Sequence, residues 1–287
     1  HLIKSISVEK GVNGGFIIVN GHRIRYTQCA NPADIPCGEV GVNLVLEATG
    51  RHKDFAACEV FVNQGLKVVI SAPSKDEQVQ RIVIGINDAS YDPSYKVSSN
   101  TSCSTNCTAQ GVSVFADVFS PKAMLMVAPH AATASQRTLA CGKIGGGVDV
   151  GALEDASPAS TGAAAMLGTI FDGMQLDGQA VRIPMRDGSI AFMNFFVEEI
   201  DVSVDAVHNA FQAAAEGRLS QTLDYGDPRF TVRHILGSPA SATYFPSATK
   251  VVSWDGGSLV TIGLGYDNEF GYSNRMWDHA ALVAESF

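Results

Sequence analysis

Two cysteines, Cys103 and Cys107, lie one helical turn apart in the polar stretch SSNTSCSTNC. Small polar residues precede Cys103 and an apolar helical pattern follows, so we expect Cys103 near a helix N-terminus. Free N–H groups and the helix dipole favour an anion there, which would depress the pKa of a thiol and make it a nucleophile. Cys107 would lie deeper on the same face. Position alone is equally compatible with two small thiols that fill a core.

His130 is the candidate base for such a nucleophile. It ends the apolar strand pattern AMLMVAPHA and precedes the hydroxyl-rich turn AATASQRT. A histidine within reach of a thiol can hold or accept its proton. A lone histidine near a strand end is more often structural, so spacing by itself leaves both interpretations open.

Short apolar strands alternate with helical stretches over the first hundred residues. VNLVLEATG, LKVVISAPS, RIVIGIND and YKVSSN predict strands, and KDFAACEVFVNQG predicts a helix that stops at Gly65. Buried strands joined by helices indicate a parallel sheet with helices on its faces. The turns 48–50 and 71–73 would follow strand C-terminal ends, where ligands bind in open α/β sheets.

A hairpin is predicted near the start of the chain, before the strands of the parallel sheet. GGFIIVNGHRIRYTQ predicts a hairpin that turns at Asn20-Gly21. The preceding VEKGVNGGF is expected to be a turn with no strand before it and no long helix after it.

The second half of the chain predicts an α+β domain with long antiparallel strands. Strands are expected in AMLMVAPHA, QAVRIPM and SIAFMNFFVEEI, and a hairpin in TKVVSWDGGSLVTIGLGYD with Gly256-Gly257 in its turn. Helices are expected in TAQGVSVFADVFS, SVDAVHNAFQAAAEGRL and NRMWDHAALVAESF. A further helix is expected in STGAAAMLGTIFDGM, with Ser160 or Thr161 near its N-cap.

Bulk composition excludes several classes of protein. The 287 residues are 46% hydrophobic and 17% charged, which supports a sizeable core and argues against disorder. With a net charge of −9 and no Lys/Arg-rich run, nucleic acid is not an expected partner. No apolar stretch would span a bilayer and no signal peptide is evident, so we expect a cytoplasmic protein without a membrane partner. The start at His1 suggests processing or an incomplete N-terminus.

Cysteine spacing argues against two other kinds of site. The six cysteines are irregularly spaced and contain no C-x-x-C pair. We therefore expect neither a disulfide framework nor a metal site.

The stretch SSNTSCSTNC resembles the active-site signature of the phosphorylating glyceraldehyde-3-phosphate dehydrogenases. Other segments resemble further parts of that family, in the family's order: EATG, VVISAPS, PHAATASQRT, PASTGAAAM, AVRIP and YDNEFGYSNR. Any one alone is weak, but all of them in order over nearly the whole chain are highly specific. The resemblance implies NAD as cofactor, glyceraldehyde 3-phosphate and inorganic phosphate as partners, and a homotetramer.

The resemblance also implies a role for individual residues. Cys103 would be the nucleophile that forms a thioester, and His130 its base and ion-pair partner. The implied cofactor contacts are Thr49, Gly50, Ser71, Asn100, Asn268 at the nicotinamide amide, and Tyr272 near its ring. The implied phosphate contacts are Ser102, Ser104, Thr161 and Gly162 at one site, and Thr133, Ser135 and Arg182 at the other.

The implied fold class is α/β, in three parts. Residues 1–102 would be an incomplete Rossmann-type dinucleotide-binding domain, and residues 103–267 an α+β catalytic domain with a mostly antiparallel sheet. Residues 268–287 would form a C-terminal helix that packs back on the first domain.

The chain departs from the family in three places. The family opens with a strand, a Gly-rich turn, a helix and a second strand ending in an acid; nothing like this occurs here, so we expect a bare sheet edge and no pyrophosphate cradle. The loop LACGKIGGGVDVGALEDASPAST lacks the family's arginines and carries Glu154 and Asp155, which bears on oligomer contacts and cofactor affinity. Ala165 replaces a lysine, and Ser104 replaces a threonine but keeps a hydroxyl.

Other functions stay open at this stage. The chain could be a truncated, catalytically impaired relative that acts as a binding or regulatory protein. It could also be another Cys/His aldehyde dehydrogenase, acting on erythrose 4-phosphate or aspartate semialdehyde, although two phosphate-site motifs argue against the semialdehyde. The preference for NAD over NADP is an expectation from the family, since the ribose-binding acid would lie in the absent segment.

Overall fold

A computed structural model describes residues 3–12, 14–133, 136 and 151–287. The chain begins with a three-stranded antiparallel ribbon of β1 (Ile6–Gly11), β2 (Gly14–Val19) and β3 (His22–Thr27). The predicted hairpin is confirmed: β2 and β3 turn at Asn20 and Gly21, which both have positive φ. The expectation that no strand precedes this hairpin was wrong, because β1 pairs with β2 along its whole length. All of β1 is exposed, so it carries no burial pattern that sequence periodicity could show.

A four-stranded parallel sheet follows, as predicted. It contains β4 (Leu44–Glu47), β5 (Lys67–Ile70), β6 (Val79–Arg81) and β7 (Val97–Ser99), and helix α1 (Phe55–Val62) connects the first two strands. The strand order is β4-β5-β7-β6. Within the described residues β4 pairs only with β5, so its other edge is unpaired.

The strand predicted in RIVIGIND is instead mostly a turn. Strand β6 ends at Arg81 because the Asn87 side chain forms hydrogen bonds with backbone groups at and just after that point. The Asn87 amide accepts from the Val83 N–H at 2.7 Å and donates to the Arg81 carbonyl at 2.9 Å. Such local side-chain bonds compete with strand pairing.

The second half forms an eight-stranded, mostly antiparallel sheet, called here the large sheet, and this confirms the predicted α+β architecture. Its first elements are α2 (Cys103–Val118), β8 (Ala123–His130), β9 (Ser157–Ser160), α3 (Ala163–Leu167), β10 (Gln175–Arg182) and β11 (Ser189–Val197). They are followed by α4 (Val204–Glu216), β12 (Leu223–Tyr225), β13 (Ala242–Tyr244), β14 (Lys250–Trp254), β15 (Gly257–Tyr266) and α5 (Phe270–Ala284). Within the described residues no helix is both long and apolar enough to cross a membrane.

Two local predictions in this half differ from the structure. Helix α3 is short, because the Thr169 hydroxyl bonds the Met166 carbonyl at 2.7 Å and the chain turns there. The hairpin between β14 and β15 turns at Asp255-Gly256, since Gly257 already pairs with Trp254. Gly257 has φ +139, and a Cβ there would lie 2.3 Å from the Val197 carbonyl oxygen, so a close strand contact requires this glycine.

Helix α2 lies directly on the large sheet and forms the centre of the core. Phe115 on α2 stacks on Phe195 of β11 with ring centroids 3.8 Å apart. Gly111 permits the close approach, since a Cβ there would meet the Met193 sulfur at 2.9 Å. Each buried aromatic side chain contributes about 2–3 kcal/mol through the hydrophobic effect. This packing fixes the helix end that carries Cys103.

Candidate active site

Cys103 is the first residue of α2, as the sequence predicts. Ser102 is the N-cap, and its hydroxyl accepts from the Thr105 N–H at 3.1 Å. Thr101 has φ +57, a left-handed conformation that turns the chain sharply from β7 into the helix. Cys103 is half-buried, whereas Cys107 is fully buried with its sulfur 3.9 Å from the Leu264 carbonyl oxygen. The two thiols therefore occupy different environments.

Strand β8 brings His130 to Cys103. His130 is the last residue of the strand, and its Nε2 lies 3.5 Å from the Cys103 sulfur. Its Nδ1 lies 2.8 Å from the Ala131 carbonyl oxygen. Packing of α2 on the large sheet creates this pair, which has the spacing of a nucleophile and a proton acceptor.

Arg182 completes the cluster from the neighbouring parallel strand. β10 pairs with β8 in a register that places Arg182 opposite His130. One guanidinium nitrogen, Nη1, lies 2.8 Å from His130 Nδ1 and 3.3 Å from the Ala131 carbonyl oxygen. The predicted phosphate residue thus contacts the predicted base.

Burial acts on the pKa of both members of this pair. It raises the pKa of the Cys103 thiol, although hydrogen bonds to Ser104 and the charge of Arg182 act in the opposite direction. Burial also lowers the pKa of His130; the hydrogen bond to the Ala131 carbonyl opposes this shift and the Arg182 charge adds to it. A depressed thiol pKa was the expectation from the helix N-terminus; desolvation in the packed site outweighs that favourable position.

Sequence reasoning missed a buried hydroxyl network behind the pair. Ser189 on β11 accepts from the Ala131 N–H at 3.2 Å and donates to Asn268 Oδ1 at 3.3 Å. Tyr266 contacts the Ser104 hydroxyl at 3.0 Å, and burial raises its pKa well above the usual range. Ser189 lies opposite both His130 and Tyr266 in the sheet. Strand register alone creates this position, so the sequence held no local signal for Ser189.

Several predicted cofactor residues gather at one edge of the parallel sheet. Strands β4, β5 and β7 are parallel, so Thr49, Ser71 and Asn100, which follow them, share the C-terminal edge. Thr49 bonds the buried Glu47 carboxylate through its N–H and hydroxyl. Gly50 has φ +70 and faces open space.

Two features of this edge fit the nicotinamide end of NAD. Asn100 is fully buried, and neither polar atom of its side-chain amide has a hydrogen-bond partner of good geometry, although the amide acts on the Tyr272 hydroxyl. Such an amide can bond a polar ligand. Tyr272 on α5 donates to the Thr101 carbonyl at 3.1 Å, and burial raises its pKa to about 12. Among the described residues no Gly-rich strand–turn–helix offers a pyrophosphate cradle.

The residues predicted to bind phosphate differ in their surroundings, and several already have hydrogen-bond partners within the protein. Thr161 accepts from the Ala163 N–H at 3.2 Å, and Gly162 is the N-cap of the short α3. The Ser102 and Ser104 hydroxyls already bond Thr105 and Tyr266. Thr133 bonds Gln136, and Ser135 lies outside the described residues.

The predictions about the other cysteines and the Gly-rich loop concern some residues that the structure does not describe. The five described cysteines are free, and Cys141 is not described. In the described ranges no group of three or more His, Cys, Asp or Glu residues could hold a metal ion. Residues 141–150 of the Gly-rich loop are not described; Glu154 and Asp155 are, in a turn before β9.

A parallel α/β sheet is joined here to a mostly antiparallel sheet by a helix that begins with a cysteine beside a histidine, an arrangement compatible with covalent catalysis by a thiol. The relatives identify the class as a dehydrogenase-type oxidoreductase. Residues 102–268 match the family model described as glyceraldehyde 3-phosphate dehydrogenase, C-terminal domain. The chain is 36% identical over 302 aligned residues to a glyceraldehyde-3-phosphate dehydrogenase of Mycobacterium bovis, covering 100% of this chain and 86% of the relative. It is 35% identical to one of Geobacillus stearothermophilus, covering 99% and 86%. The chain belongs to the glyceraldehyde-3-phosphate dehydrogenase family.

Proposed function

We propose that the protein oxidises glyceraldehyde 3-phosphate to 1,3-bisphosphoglycerate, with NAD and inorganic phosphate as co-substrates. The observation that carries this proposal is the 3.5 Å contact between Cys103 and His130, with Arg182 at the other side of the ring. The family relationship supports the aldehyde substrate.

Cys103 is the nucleophile in this mechanism. Its thiolate attacks the aldehyde carbon while His130 holds the thiol proton. The ring passes this proton to the alkoxide oxygen, which becomes a hydroxyl, and takes it back when the hydride leaves. The Cys103 N–H at the start of α2 and the His130 ring stabilise the tetrahedral oxyanion. Oxidation leaves a thioester on Cys103, and inorganic phosphate cleaves it to the acyl phosphate.

The nicotinamide end of the cofactor would lie between the two sheets. Asn268 would hold its amide, and Asn100 and Tyr272 would line the pocket from β7 and α5. When bound, NAD supplies the acceptor for the substrate's hydride. The buried amide of Asn100 and the anchored Oδ1 of Asn268 support this assignment.

Arg182 would take one phosphate group and the α3 region the other. The guanidinium offers a forked, charge-assisted contact, and the resemblance assigns Thr133 and Ser135 to the same phosphate. Thr161 and Gly162 would supply a hydroxyl and a backbone N–H for the second phosphate, together with Ser102 and Ser104.

We also propose a homo-oligomer, with a homotetramer as the family's expectation. The face of the large sheet opposite α2 carries outward-facing apolar residues, among them Leu125, Phe196 and Leu259, which line an open groove. Leu125 is 54% exposed and Leu259 40%. An apolar sheet face of this kind is typical of a surface that another subunit covers.

Replacement of Cys103 tests the catalytic proposal. We expect Cys103→Ser to lower NADH formation from glyceraldehyde 3-phosphate by about a thousandfold or more, because a hydroxyl is a far weaker nucleophile at neutral pH. The matched control is Cys107→Ser, whose buried thiol does not face substrate and which should lose much less.

Two results separate the alternatives. Unchanged turnover in Cys103→Ser would exclude the covalent mechanism. If the unmodified protein turns over erythrose 4-phosphate or aspartate semialdehyde faster than glyceraldehyde 3-phosphate, that aldehyde is the substrate instead. Calorimetry that finds no NAD binding, together with no turnover, would favour the binding or regulatory relative.

A further inference from the structure

A buried carboxylate organises the turn that follows β4. Glu47 is the last residue of that strand and is only 4% exposed. Its Oε1 accepts hydrogen bonds from the Thr49 N–H at 3.2 Å and from the Thr49 hydroxyl. The Thr49 hydroxyl in turn accepts from the Arg51 N–H at 3.2 Å. Together these hydrogen bonds connect Glu47 to the residues on both sides of Gly50.

Strand geometry makes an acid unusual at this position. Side chains alternate along a strand, so Glu47 shares a face with Val45, two residues earlier. Val45 packs against an apolar cluster that contains Cys58 and Phe61 of α1. Buried positions in a parallel sheet are normally apolar. The Glu47 carboxylate nevertheless acts on this cluster, since burial and then Glu47 are the largest causes that raise the pKa of Cys58 to about 12.

The core itself gains little from a carboxylate at this position. Oε2 of Glu47 is buried and has no hydrogen-bond partner among the described residues. A buried polar atom without a partner costs free energy. An apolar side chain of similar size would avoid that cost, so the favourable contribution of Glu47 lies in the turn and not in the core.

The turn requires such an anchor because its own residues hold it weakly. Thr49, Gly50 and Arg51 are all exposed. Gly50 has φ +70, and a Cβ there would meet no atom within 4 Å. Glycine loses more conformational freedom on ordering than any other residue, so the bonds from Glu47 offset part of that entropy before a ligand binds.

This turn lies beside a cavity that has the size of a ligand site. The cavity volume is about 520 Å³. Ile35 and Phe61 are among its apolar lining residues, and Thr49, Arg51 and His52 are among the polar ones. Ligand sites combine apolar walls with a few placed polar groups. Ligands bind at the C-terminal ends of the strands in such sheets, so a molecule bound at the end of β4 would contact this turn.

We propose that Glu47 is a positioning residue for NAD, which holds Thr49 and the following turn in the conformation that binds the cofactor. This inference rests on the proposed function, in which Thr49 and Gly50 contact NAD. An ordered turn reduces the conformational entropy that binding costs, so the effect of Glu47 belongs to cofactor affinity. It does not belong to the chemical step, because the candidate nucleophile and base lie on other elements, α2 and β8.

Glu47→Leu separates the turn from the core. Leucine has a similar volume but no acceptor, and Thr49 is exposed, so water can bond its N–H and hydroxyl. We expect the free energy of unfolding to stay the same or rise, because an unpaired buried oxygen is removed. The dissociation constant for NAD, measured by calorimetry, should rise about tenfold or more, since hydrogen bonds to a carboxylate are lost. The KM for NAD should rise likewise, with kcat changed by less than about twofold.

Glu47→Gln is the conservative variant for this test. Its amide oxygen can still accept from Thr49, so it should recover most of the NAD affinity that Glu47→Leu loses. Glu59→Gln is the matched control, because Glu59 is exposed on α1 and its replacement also converts a carboxylate to an amide. It should leave NAD binding unchanged.

Thr49→Val shows whether Glu47 acts through Thr49. Valine keeps the shape of threonine but lacks the hydroxyl that links Glu47 to Arg51. In the unmodified protein we expect this substitution to weaken NAD binding about tenfold. Added to Glu47→Leu, it should weaken binding by less than about twofold more, because the two residues act as one unit. Effects of the two substitutions that simply multiply would overturn the proposal.

Three further results would overturn it. Glu47→Leu could bind NAD as tightly as the unmodified protein, or lose affinity only in proportion to a loss of stability, which would indicate a purely structural role. The unmodified protein could also bind no NAD. Failure of the proposed function alone looks different, since NAD then binds and responds to Glu47→Leu but no NADH forms from glyceraldehyde 3-phosphate.

Discussion

Chemically identical side chains behave differently in this protein because of their surroundings. The Cys58 thiol is buried behind Glu47 and Asp54, and burial followed by these carboxylates raises its pKa to about 12. Cys103 is also desolvated, but a histidine, an arginine and a helix N-terminus surround it. Of these two cysteines, Cys103 therefore has the groups that can stabilise a thiolate.

Ser189 is predicted to position Asn268 for the cofactor. Ser189→Ala would leave the Ala131 N–H without its partner and release the Asn268 side chain. An unpaired buried donor costs about 1–3 kcal/mol, so we expect the KM for NAD to rise about tenfold, with a smaller change in the KM for phosphate. Steady-state kinetics with each substrate varied in turn measures this split.

Ser253→Ala is the control for this substitution, because Ser253 lies on β14 and its hydroxyl contacts the Ser258 hydroxyl at 2.8 Å. Equal increases in both KM values for Ser189→Ala would indicate general damage to the sheet. They would contradict a positioning role for this hydroxyl.

At the scale of elements, helix α5 connects the two sheets. His279 on this helix is fully buried, and its Nε2 lies 2.9 Å from the Ser98 hydroxyl of β7. Ser286, near the end of the chain, accepts a hydrogen bond from the buried Lys67 of β5 at 2.8 Å. These contacts fix the segment that supplies Asn268 and Tyr272 to the candidate site.

His279 should make the protein less stable in acid. Burial lowers its pKa from 6.5 to about 4. The unfolded chain therefore binds more protons than the folded one between these values, and the free energy of unfolding falls as pH drops from about 6.5 towards 4. A shift of this size corresponds to at most about 3 kcal/mol. Chemical denaturation between pH 7 and pH 4 measures the loss.

His279→Gln isolates this contribution from that of other titrating groups. Glutamine can still bond Ser98 but does not titrate, so the difference in stability between the two proteins should change with pH. A difference that stays constant across this range would show that His279 does not control the acid sensitivity.

At the scale of the whole molecule, the two faces of the large sheet differ. Helix α2 covers one face, and the opposite face exposes apolar residues such as Leu125 and Leu259. An arginine in the middle of that face would leave a charge without a partner when a second subunit covers it. We expect Leu125→Arg to reduce the molar mass in solution by half or more, as measured by light scattering after gel filtration.

Val12→Arg is the control, because Val12 is 98% exposed and lies on the amino-terminal ribbon, away from the large sheet. It should leave the molar mass unchanged. If Leu125→Arg has the same mass as the unmodified protein, the subunit interface lies elsewhere.

Local sequence patterns determined most elements of this fold. Ser203 caps α4, Asn20-Gly21 turns the first hairpin, and apolar runs define β4, β5 and β8, because these signals act over a few neighbouring residues. The position of Cys103 at a helix start could be predicted for the same reason, from the residues on either side of it. The short α3 and the exposed β1 escaped prediction, since side-chain bonds and strand pairing rather than periodicity define them.

Only the tertiary structure decided how the site works. The sequence identified Cys103, His130 and Arg182 as separate candidates, and strand register placed all three within one cluster. Register also put Ser189 behind His130, where no motif pointed. The directions in which the pKa values of Cys103 and His130 shift follow from desolvation, which depends on every element packed around them. Residue types are a property of the sequence, whereas distance and dielectric surroundings exist only once the chain has folded.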